Sequence, residues 1–169
     1  CPNGRATRLR ITCDAKYPLL ADTIANTLRR LLPENSVAIV HTPGTKTYFN
    51  ISVYSNKLNN WLPWQVGKGS KEHQKARVPE WIRSNREYSK ECLRGLLQTD
   101  GSIYKDRGYL MVNFCNNIKA LAEDVHAMLI ANEFRPTITA TPAKAKTKNT
   151  VRVAKDTVRL VEELGLYKS

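Results

Sequence analysis

The chain has 169 residues, of which 41% are hydrophobic and 25% charged, a composition typical of a folded protein rather than a disordered one. Its 27 Lys and Arg residues against 15 Asp and Glu residues give a net charge of +12, which favours a polyanionic partner, either nucleic acid or an acidic membrane surface. No apolar run approaches the length of a membrane span, and no basic amphipathic helix stands out, so nucleic acid is the expected partner.

The first half of the chain alternates the signals of strands and helices. Residues 7–13 alternate polar and apolar side chains, which is the period of a half-exposed strand. Apolar residues then recur at helical spacing until Pro33, and a later turn containing Pro43 and Gly44 is a hairpin signal. We expect, in chain order, a strand at 7–13, a helix at 19–32, hairpin strands at 36–42 and 46–54, and a short helix at 55–61.

The second half repeats this order and adds two elements before it. Residues 20–24 (LADTI) align with residues 121–125 (LAEDV), and the offset of about 101 positions is nearly constant along the two stretches. Such an offset indicates two copies of one fold unit. We expect a helix at 86–99 and a strand at 102–105, followed by a strand at 109–115, a helix at 118–131, hairpin strands at 135–142 and 148–155, and a helix at 157–164.

These elements divide the chain into a first repeat at 1–66, a polar and basic linker at 67–85, and a second repeat at 86–169. The first repeat lacks the helix that precedes the second, and the chain does not begin with Met, so we expect it to start part-way through a longer protein. The cysteines form no C-x-x-C pair and the N-terminus has no apolar signal region. Both features favour a reduced, intracellular protein, located in the cytoplasm, the nucleoid or an organelle with its nucleic acid.

One stretch at the end of the predicted helix 86–99 carries the strongest indication of chemistry. Residues 93–101 read Leu-Arg-Gly-Leu-Leu-Gln-Thr-Asp-Gly. An Asp-Gly pair at a helix end is by itself an ordinary capping pattern. Here, however, it is followed by the strand, strand, helix, hairpin and helix order of the whole second repeat.

This stretch resembles the signature of the LAGLIDADG homing endonucleases, and the element order and the linker resemble that family too. The resemblance implies an α+β fold with two αββαββα repeats related by a pseudo-twofold axis, whose antiparallel sheets form a DNA-binding saddle. The first repeat would lack its N-terminal motif helix. In the family two motif helices pack at the axis through small residues, here Gly95. Asp100 matches the last acid of the motif, and Gly101 matches the glycine that ends the helix, a position tolerant of positive φ.

The resemblance implies a site-specific endonuclease that uses Mg²⁺ to make a staggered double-strand cut in DNA. Asp100 and Gly101 would bind the metal, and Lys68 and Lys168 match the lysines that the family places near the attacking water. The counterpart of Asp100 must come from a second motif helix. We therefore expect a monomer if the missing helix is present, and a partner chain or a homodimer otherwise.

The two sheets would contact double-stranded DNA through every second residue of their strands, where Arg reads guanine and Asn reads adenine in the major groove. Lysines of the second hairpin turn would meet phosphates instead. The alternation selects as DNA-binding residues Arg8, Arg10, Thr12, Lys46, Tyr48, Asn50, Ser52, Tyr109, Asn113, Arg135, Thr137, Thr139, Lys144, Lys146, Lys148, Thr150 and Arg152.

Two other classes of function stay open. A catalytically inactive protein of the same fold, a transcription regulator or an intron maturase that binds DNA or RNA, is favoured by Gln98 in place of the motif's first acid and by the missing helix. Arg94 in place of a small residue also departs from the motif. An RNA-binding or ribosomal type of α+β protein would explain the charge alone. An intein is disfavoured, although the chain begins with Cys1, because the C-terminus lacks the His-Asn ending of self-splicing.

Overall fold

A computed structural model describes residues 6–41, 44, 47–143 and 146–167. The chain divides into two units, Cys1–Lys68 and Gly69–Ser169. In the described ranges the predicted α+β class is confirmed, with helices and two antiparallel sheets. None of the described helices is long and apolar enough to cross a membrane.

The first unit is a three-stranded antiparallel sheet with a helix packed on one face. Strand β3 (Tyr48–Ser55) lies between β1 (Thr7–Asp14) and β2 (Val37–His41), so the strand order is β1-β3-β2. The alternation of β1 turns Leu9, Ile11 and Cys13 toward the helix, where they pack with Ile51 and other buried residues. The elements are β1 (Thr7–Asp14), α1 (Pro18–Leu31), β2 (Val37–His41), β3 (Tyr48–Ser55) and α2 (Leu58–Trp61).

The second unit contains the same three-stranded arrangement, in the order β5-β7-β6, with a fourth strand β4 added beside β5. Its core brings together Leu93, Phe114, Val125 and Leu160, all fully buried, from two central helices, a strand and the last helix. The elements are α3 (Glu80–Arg83), α4 (Arg86–Asp100), β4 (Gly101–Asp106), β5 (Tyr109–Asn116), α5 (Lys119–Ala131), β6 (Pro136–Thr141), β7 (Lys148–Val153) and α6 (Thr157–Glu163).

A buried carboxylate fixes the path of the chain into α4. Asp124 on α5 is 1% exposed and accepts hydrogen bonds from the Arg77 guanidinium at 2.6 Å and from the backbone N–H of Val78 at 2.8 Å. Arg83 on α3 approaches the same carboxylate at 3.4 Å. The carboxylate raises the pKa of Arg77 above its ordinary value, mainly through the side-chain hydrogen bond. The end of the predicted linker is thus anchored to the core of the second unit, and α3 is a helix within that linker.

Candidate active site and nucleic-acid interface

Asp100 is the last residue of α4, and its carboxylate is exposed. Asn116, at the end of β5, lies 3.5 Å away and donates to Asp100 from its side-chain amide. The other side of the Asn116 amide accepts the backbone N–H of Ile118 at 2.9 Å, in the turn that leads into α5. The end of the motif helix is therefore joined by side-chain contacts to the neighbouring strand, while the carboxylate stays open to solvent.

Gly101 follows directly as the first residue of β4, with no residue between helix and strand. Its φ is −84°, so the tolerance of positive φ that glycine offers is not used at this position. The requirement for glycine is steric instead. A Cβ built at Gly101 would overlap the backbone carbonyl of Leu97 and lie 2.9 Å from the Leu97 Cα. The sharp junction that places Asp100 at the sheet edge therefore requires a residue without a Cβ at position 101.

The exposed side of α4 carries the residues that the motif comparison singled out. Gly95 is exposed, and a Cβ there would meet nothing within 4 Å, so the described residues supply no helix packed against it. Arg94 is also exposed and donates to Glu91 at 2.7 Å, one turn back. Gln98, in contrast, is 3% exposed and belongs to the buried side of the helix. The predicted helix packing at Gly95 stays a prediction that needs a second motif helix.

The predicted catalytic lysines are less defined. Lys68 is the last residue of the first unit, exposed, with its backbone N–H donating to the Gln65 carbonyl at 3.4 Å. Lys168 lies outside the described residues. Both roles stay predictions.

The donor set at the end of α4 suits a hard cation in its chemistry, but it is incomplete. Asp100 offers carboxylate oxygens, and Mg²⁺ is commonly held by one or two carboxylates together with water. No group of three or more His, Cys, Asp or Glu side chains that could hold a metal ion occurs among the described residues. Among the described residues, Asp100 therefore offers a single carboxylate to such a cation.

The open face of the first sheet follows the predicted alternation. Arg8, Arg10 and Thr12 on β1 are exposed, and Tyr48 on β3 is 36% exposed. Asn50 and Ser52 occupy the same face by register, opposite Thr12 and Arg10, but they are 8% and 5% exposed. β3 is the central strand, and its short polar side chains are covered by neighbours. Thr12 donates to the Asn50 amide oxygen at 2.8 Å, and Arg8 Nε donates to Ser52 at 2.9 Å.

The open face of the second sheet has the same character. Tyr109, Thr137, Thr139, Lys148 and Arg152 are exposed, whereas Thr150 is half-buried. The predicted contact residue Asn113 is 9% exposed, because it lies on the inner strand β5. It accepts from Arg152 Nε at 3.2 Å. Asn50, Ser52 and Asn113 are therefore placed beneath the surface that a duplex would touch.

Two residues expected to be free for DNA are neutralised by acids. Arg135 donates to the Asp156 carboxylate at 2.8 and 3.1 Å, and this hydrogen bond lowers the pKa of Asp156 below its ordinary 3.8. Lys146 pairs with Glu72 of the linker, 74 positions away in sequence. Pairing with a carboxylate opposes release to a phosphate, so neither cation is as available as the sequence suggested. Lys46 and Lys144 lie outside the described residues.

Two tyrosines on the open faces were missed by the sequence analysis. Tyr54 is 53% exposed, and the Arg8 guanidinium lies 5.6 Å from the centre of its ring. The alternation through Tyr48 would have identified it if extended to the end of β3. Tyr104 on β4 is 36% exposed and accepts a hydrogen bond from Asn113 at 2.9 Å. Tyr104 lies in the strand predicted at 102–105. Assigning alternate residues of that strand to the two faces of the sheet would have identified Tyr104.

The arginines of the described residues divide by location. Those on strands, Arg8, Arg10 and Arg152, have no acidic partner there. Most of the others are paired with carboxylates, in a set that contains Arg77, Arg83, Arg86, Arg94, Arg135 and Arg159. The three strand arginines therefore remain available to a polyanion on the open faces of the sheets.

Comparison with known proteins finds one family model that matches part of the chain. A family model described as a LAGLIDADG-like domain matches residues 87–165, which include α4, Asp100 and the second sheet. No curated protein sequence matches the chain.

Solved structures share the fold over nearly the whole chain. A crystal structure of I-DmoI in complex with DNA and Mn has a TM-score of 0.65 at 22% identity, covering 93% of this chain and 80% of that one. The N-terminal LAGLIDADG domain of DUF199/WhiA has a TM-score of 0.57 at 14% identity, covering 94% and 73%. Full-length DUF199/WhiA from Thermatoga maritima has a TM-score of 0.62 at 14% identity, covering 94% of this chain and 48% of that one. The predicted resemblance is thereby confirmed at the level of the fold: residues 87–165 match a LAGLIDADG-like domain, and the chain has the LAGLIDADG fold.

Proposed function

We propose that the chain is the DNA-binding and cleaving part of a site-specific, metal-dependent homing endonuclease. One observation carries the proposal: an exposed carboxylate, Asp100, ends the motif helix and leads without a linker into a sheet whose open face bears an unpaired arginine. Among proteins with this fold, I-DmoI is solved in complex with DNA and Mn, with DNA and Ca, and with its target DNA and Mg. A divalent metal and duplex DNA are the corresponding partners here.

In this proposal each part of the chain has one task. The open sheet faces bind the duplex in its major groove and set its register, with Arg10 and Arg152 among the contacts. Asp100 would hold a divalent metal, and Asn116 holds Asp100 at the sheet edge. Such a metal would supply charge neutralisation for the phosphate and a more acidic bound water. Lys68 and Lys168 keep the role that the family resemblance implies for the lysines of the site. The second acid comes from another motif helix, in a longer chain or in a second copy.

Gly95 is where the second motif helix would pack. Its exposed position one turn before Asp100 leaves room for another backbone, and the half-buried Leu96 and Cys92 flank it on the same helix. Small residues allow helices to approach closely, so a side chain at Gly95 would separate the two acids. A second copy or a longer chain is therefore part of the proposal.

The experiment is cleavage of a randomised duplex library, with Asp100→Asn as the test and Asp106→Asn as the matched control. Asp106 is an exposed acid at the far end of the strand that follows Asp100. We expect discrete, Mg²⁺-dependent cleavage that falls at least about a hundredfold in Asp100→Asn, because metal-borne charge stabilisation is worth several kcal/mol. Asp106→Asn should cut normally. Equal loss in both variants, or cleavage that survives Asp100→Asn, contradicts the role of Asp100.

A second candidate is a DNA-binding regulator of the same fold that does not cut. Gln98, buried where the motif has an acid, and the likeness to DUF199/WhiA favour it. The same library distinguishes the two. Sequence-selective retention of duplexes without cleavage, in Mg²⁺ or Mn²⁺, supports the regulator and contradicts the enzyme if it holds both for the wild type at concentrations high enough to form dimers and for a form that carries a second motif helix.

A further inference from the structure

Three side chains form a hydrogen-bonded row across the open face of the second sheet. Arg152 on β7 lies directly opposite Asn113 on β5, and its Nε donates to the Asn113 amide oxygen at 3.2 Å. The amide nitrogen of Asn113 donates in turn to the Tyr104 hydroxyl on β4 at 2.9 Å. The row runs inward from the exposed guanidinium to an amide that is 9% exposed and out again to the partly exposed phenol.

The chemistry of the three groups makes this arrangement directional. A guanidinium has only donors, so the amide must present its oxygen to Arg152. The tyrosine hydroxyl can accept, and it takes the amide nitrogen. If that hydroxyl were removed, the amide nitrogen would lose its acceptor, and the contact with Arg152 alone would hold the Asn113 side chain. Tyr104 therefore holds Asn113 in place from one side, and Asn113 holds Arg152.

The free end of Arg152 then has the geometry that guanine requires. Its Nε is occupied, while its two terminal nitrogens have no hydrogen bond or ion pair within the described ranges. Two parallel N–H donors match the O6 and N7 acceptors on the major-groove edge of guanine. Holding the side chain before binding also reduces the ordering cost of a rotamer-rich residue. Arg135, in contrast, donates hydrogen bonds to Asp156 from Nε and from one terminal nitrogen. Arg10 has no side-chain partner among the described residues.

We infer that Arg152 determines specificity for one guanine in the DNA target, and that Asn113 and Tyr104 are its positioning residues. The inference rests on the proposed DNA-binding function. It assigns to Asn113 a task different from reading adenine, and it gives Tyr104 a task that the sequence did not show.

The first test needs no DNA. Nitrogen-15 relaxation of the arginine Nε–H groups in the free protein should show Arg152 ordered and Arg10 averaged. Tyr104→Phe, which removes only the hydroxyl, should make Arg152 as mobile as Arg10, whereas Tyr54→Phe in the other sheet should leave Arg152 unchanged. An Arg152 signal that is averaged in the wild type, or one that stays ordered in Tyr104→Phe, overturns the positioning role.

The second test is selection of bound duplexes from a randomised library by the same proteins, with Arg152→Ala and, as a control for lost charge, Arg30→Ala on α1. Arg152→Ala should erase a preference for guanine at one base pair, where discrimination in the wild type is roughly tenfold to a hundredfold. Tyr104→Phe should reduce that same preference by about threefold to tenfold and leave the other positions unchanged. Arg30→Ala should change no position.

The outcomes separate the inference from the function on which it rests. If the wild type selects a sequence but Arg152→Ala keeps every preference, or Tyr104→Phe weakens all positions equally, the inference is wrong and DNA binding stands. If the wild type selects no sequence, the proposed function fails, and the base-reading role fails with it. The relaxation result then still decides whether Tyr104 and Asn113 order the arginine.

Discussion

The two units contain the same arrangement of three strands, each in its own sheet, and they differ in what is attached to that arrangement. In each arrangement the last of the three strands lies in the centre. It pairs with the first strand on one side and with its hairpin partner on the other, in the orders β1-β3-β2 and β5-β7-β6. The second unit adds α4 and β4 at the open edge of β5. The catalytic acid proposed here belongs to that addition. The shared arrangement of three strands is therefore the platform for binding, and the chemistry depends on the additional helix and strand.

An ion pair in each unit shows how closely the platforms correspond. In the first unit Glu34, just before β2, bridges to Lys57 at the start of α2 at 3.4 Å. In the second unit Arg135, just before β6, bridges to Asp156 at the start of α6 at 2.8 Å. The same two places are joined, but the signs of the charges are reversed. Each unit therefore links the segment before its hairpin to its last helix by an ion pair, with the charges reversed.

The largest effect expected from testing this comparison lies at Asp124. Its carboxylate holds the incoming linker of the second unit through Arg77 and Val78. Asp124→Asn places an amide N–H₂ against donors, so we expect a loss of about 2–4 kcal/mol in the free energy of unfolding, discounted from a fully buried pair because Arg77 is half exposed. Urea unfolding measures it.

Thr23 is the matched control, since it aligns with Asp124 in the sequence repeat. Thr23 is exposed on α1 and its hydroxyl donates only to the Leu19 carbonyl of the same helix. Thr23→Ala should change the free energy of unfolding by no more than about 0.5 kcal/mol. Similar losses in Asp124→Asn and Thr23→Ala would show that the linker anchor adds nothing to the second unit.

A smaller effect is expected at the junction of α4 and β4, which has no counterpart in the described part of the first unit. Gly101→Ala forces a Cβ against the Leu97 carbonyl, so we expect destabilisation of about 1–3 kcal/mol. Gly95→Ala, on the same helix and facing open space, should instead stabilise the chain by up to about 1 kcal/mol through helix propensity. Thermal unfolding of both variants tests the pair. A neutral Gly101→Ala would refute the steric explanation.

The smallest effect concerns the reversed ion pairs. Because Arg135 lowers the pKa of Asp156, the pair stabilises the folded state above the ordinary aspartate value of 3.8, and this contribution is lost as the pH falls through the lower folded-state pKa. Both groups are exposed, so the change is slight. Asp156→Asn retains a residue that tolerates its φ of +60° and should flatten the fall in stability between about pH 4 and pH 2. An unchanged acid profile contradicts a role for the pair.

The fold was predictable from the sequence because its signals are local. The alternation at residues 7–13 and Pro33 at the end of a helical pattern predict β1 and α1 to within a residue or two, and the repeat offset predicts the second set of elements. The motif at 93–101 marked the end of α4 for the same reason, since helix, Asp and Gly are neighbours in the chain.

The burial and the pairing of the interface residues were less predictable from the sequence, because they depend on partners that are far away along the chain. Alternation assigns Asn50 and Ser52 to the open face correctly, but their burial comes from Thr12 and Arg8 on another strand. The pairing of Lys146 with Glu72 joins residues 74 positions apart. The need for glycine at position 101 arises from how closely β4 follows α4, a matter of three-dimensional geometry that an Asp-Gly pair does not specify.

The separation of paired from unpaired cations has a consequence for how a duplex would be bound at different ionic strengths. Each phosphate contact by a cation displaces condensed counterions, and the logarithm of affinity falls with the logarithm of salt concentration in proportion to the number of contacts. A cation already held by a carboxylate contributes less, because its acid must be set free and collects counterions of its own. Arg10 and Lys148 should therefore each account for more of the salt slope than Arg135 or Lys146, and the net charge of +12 overstates the slope.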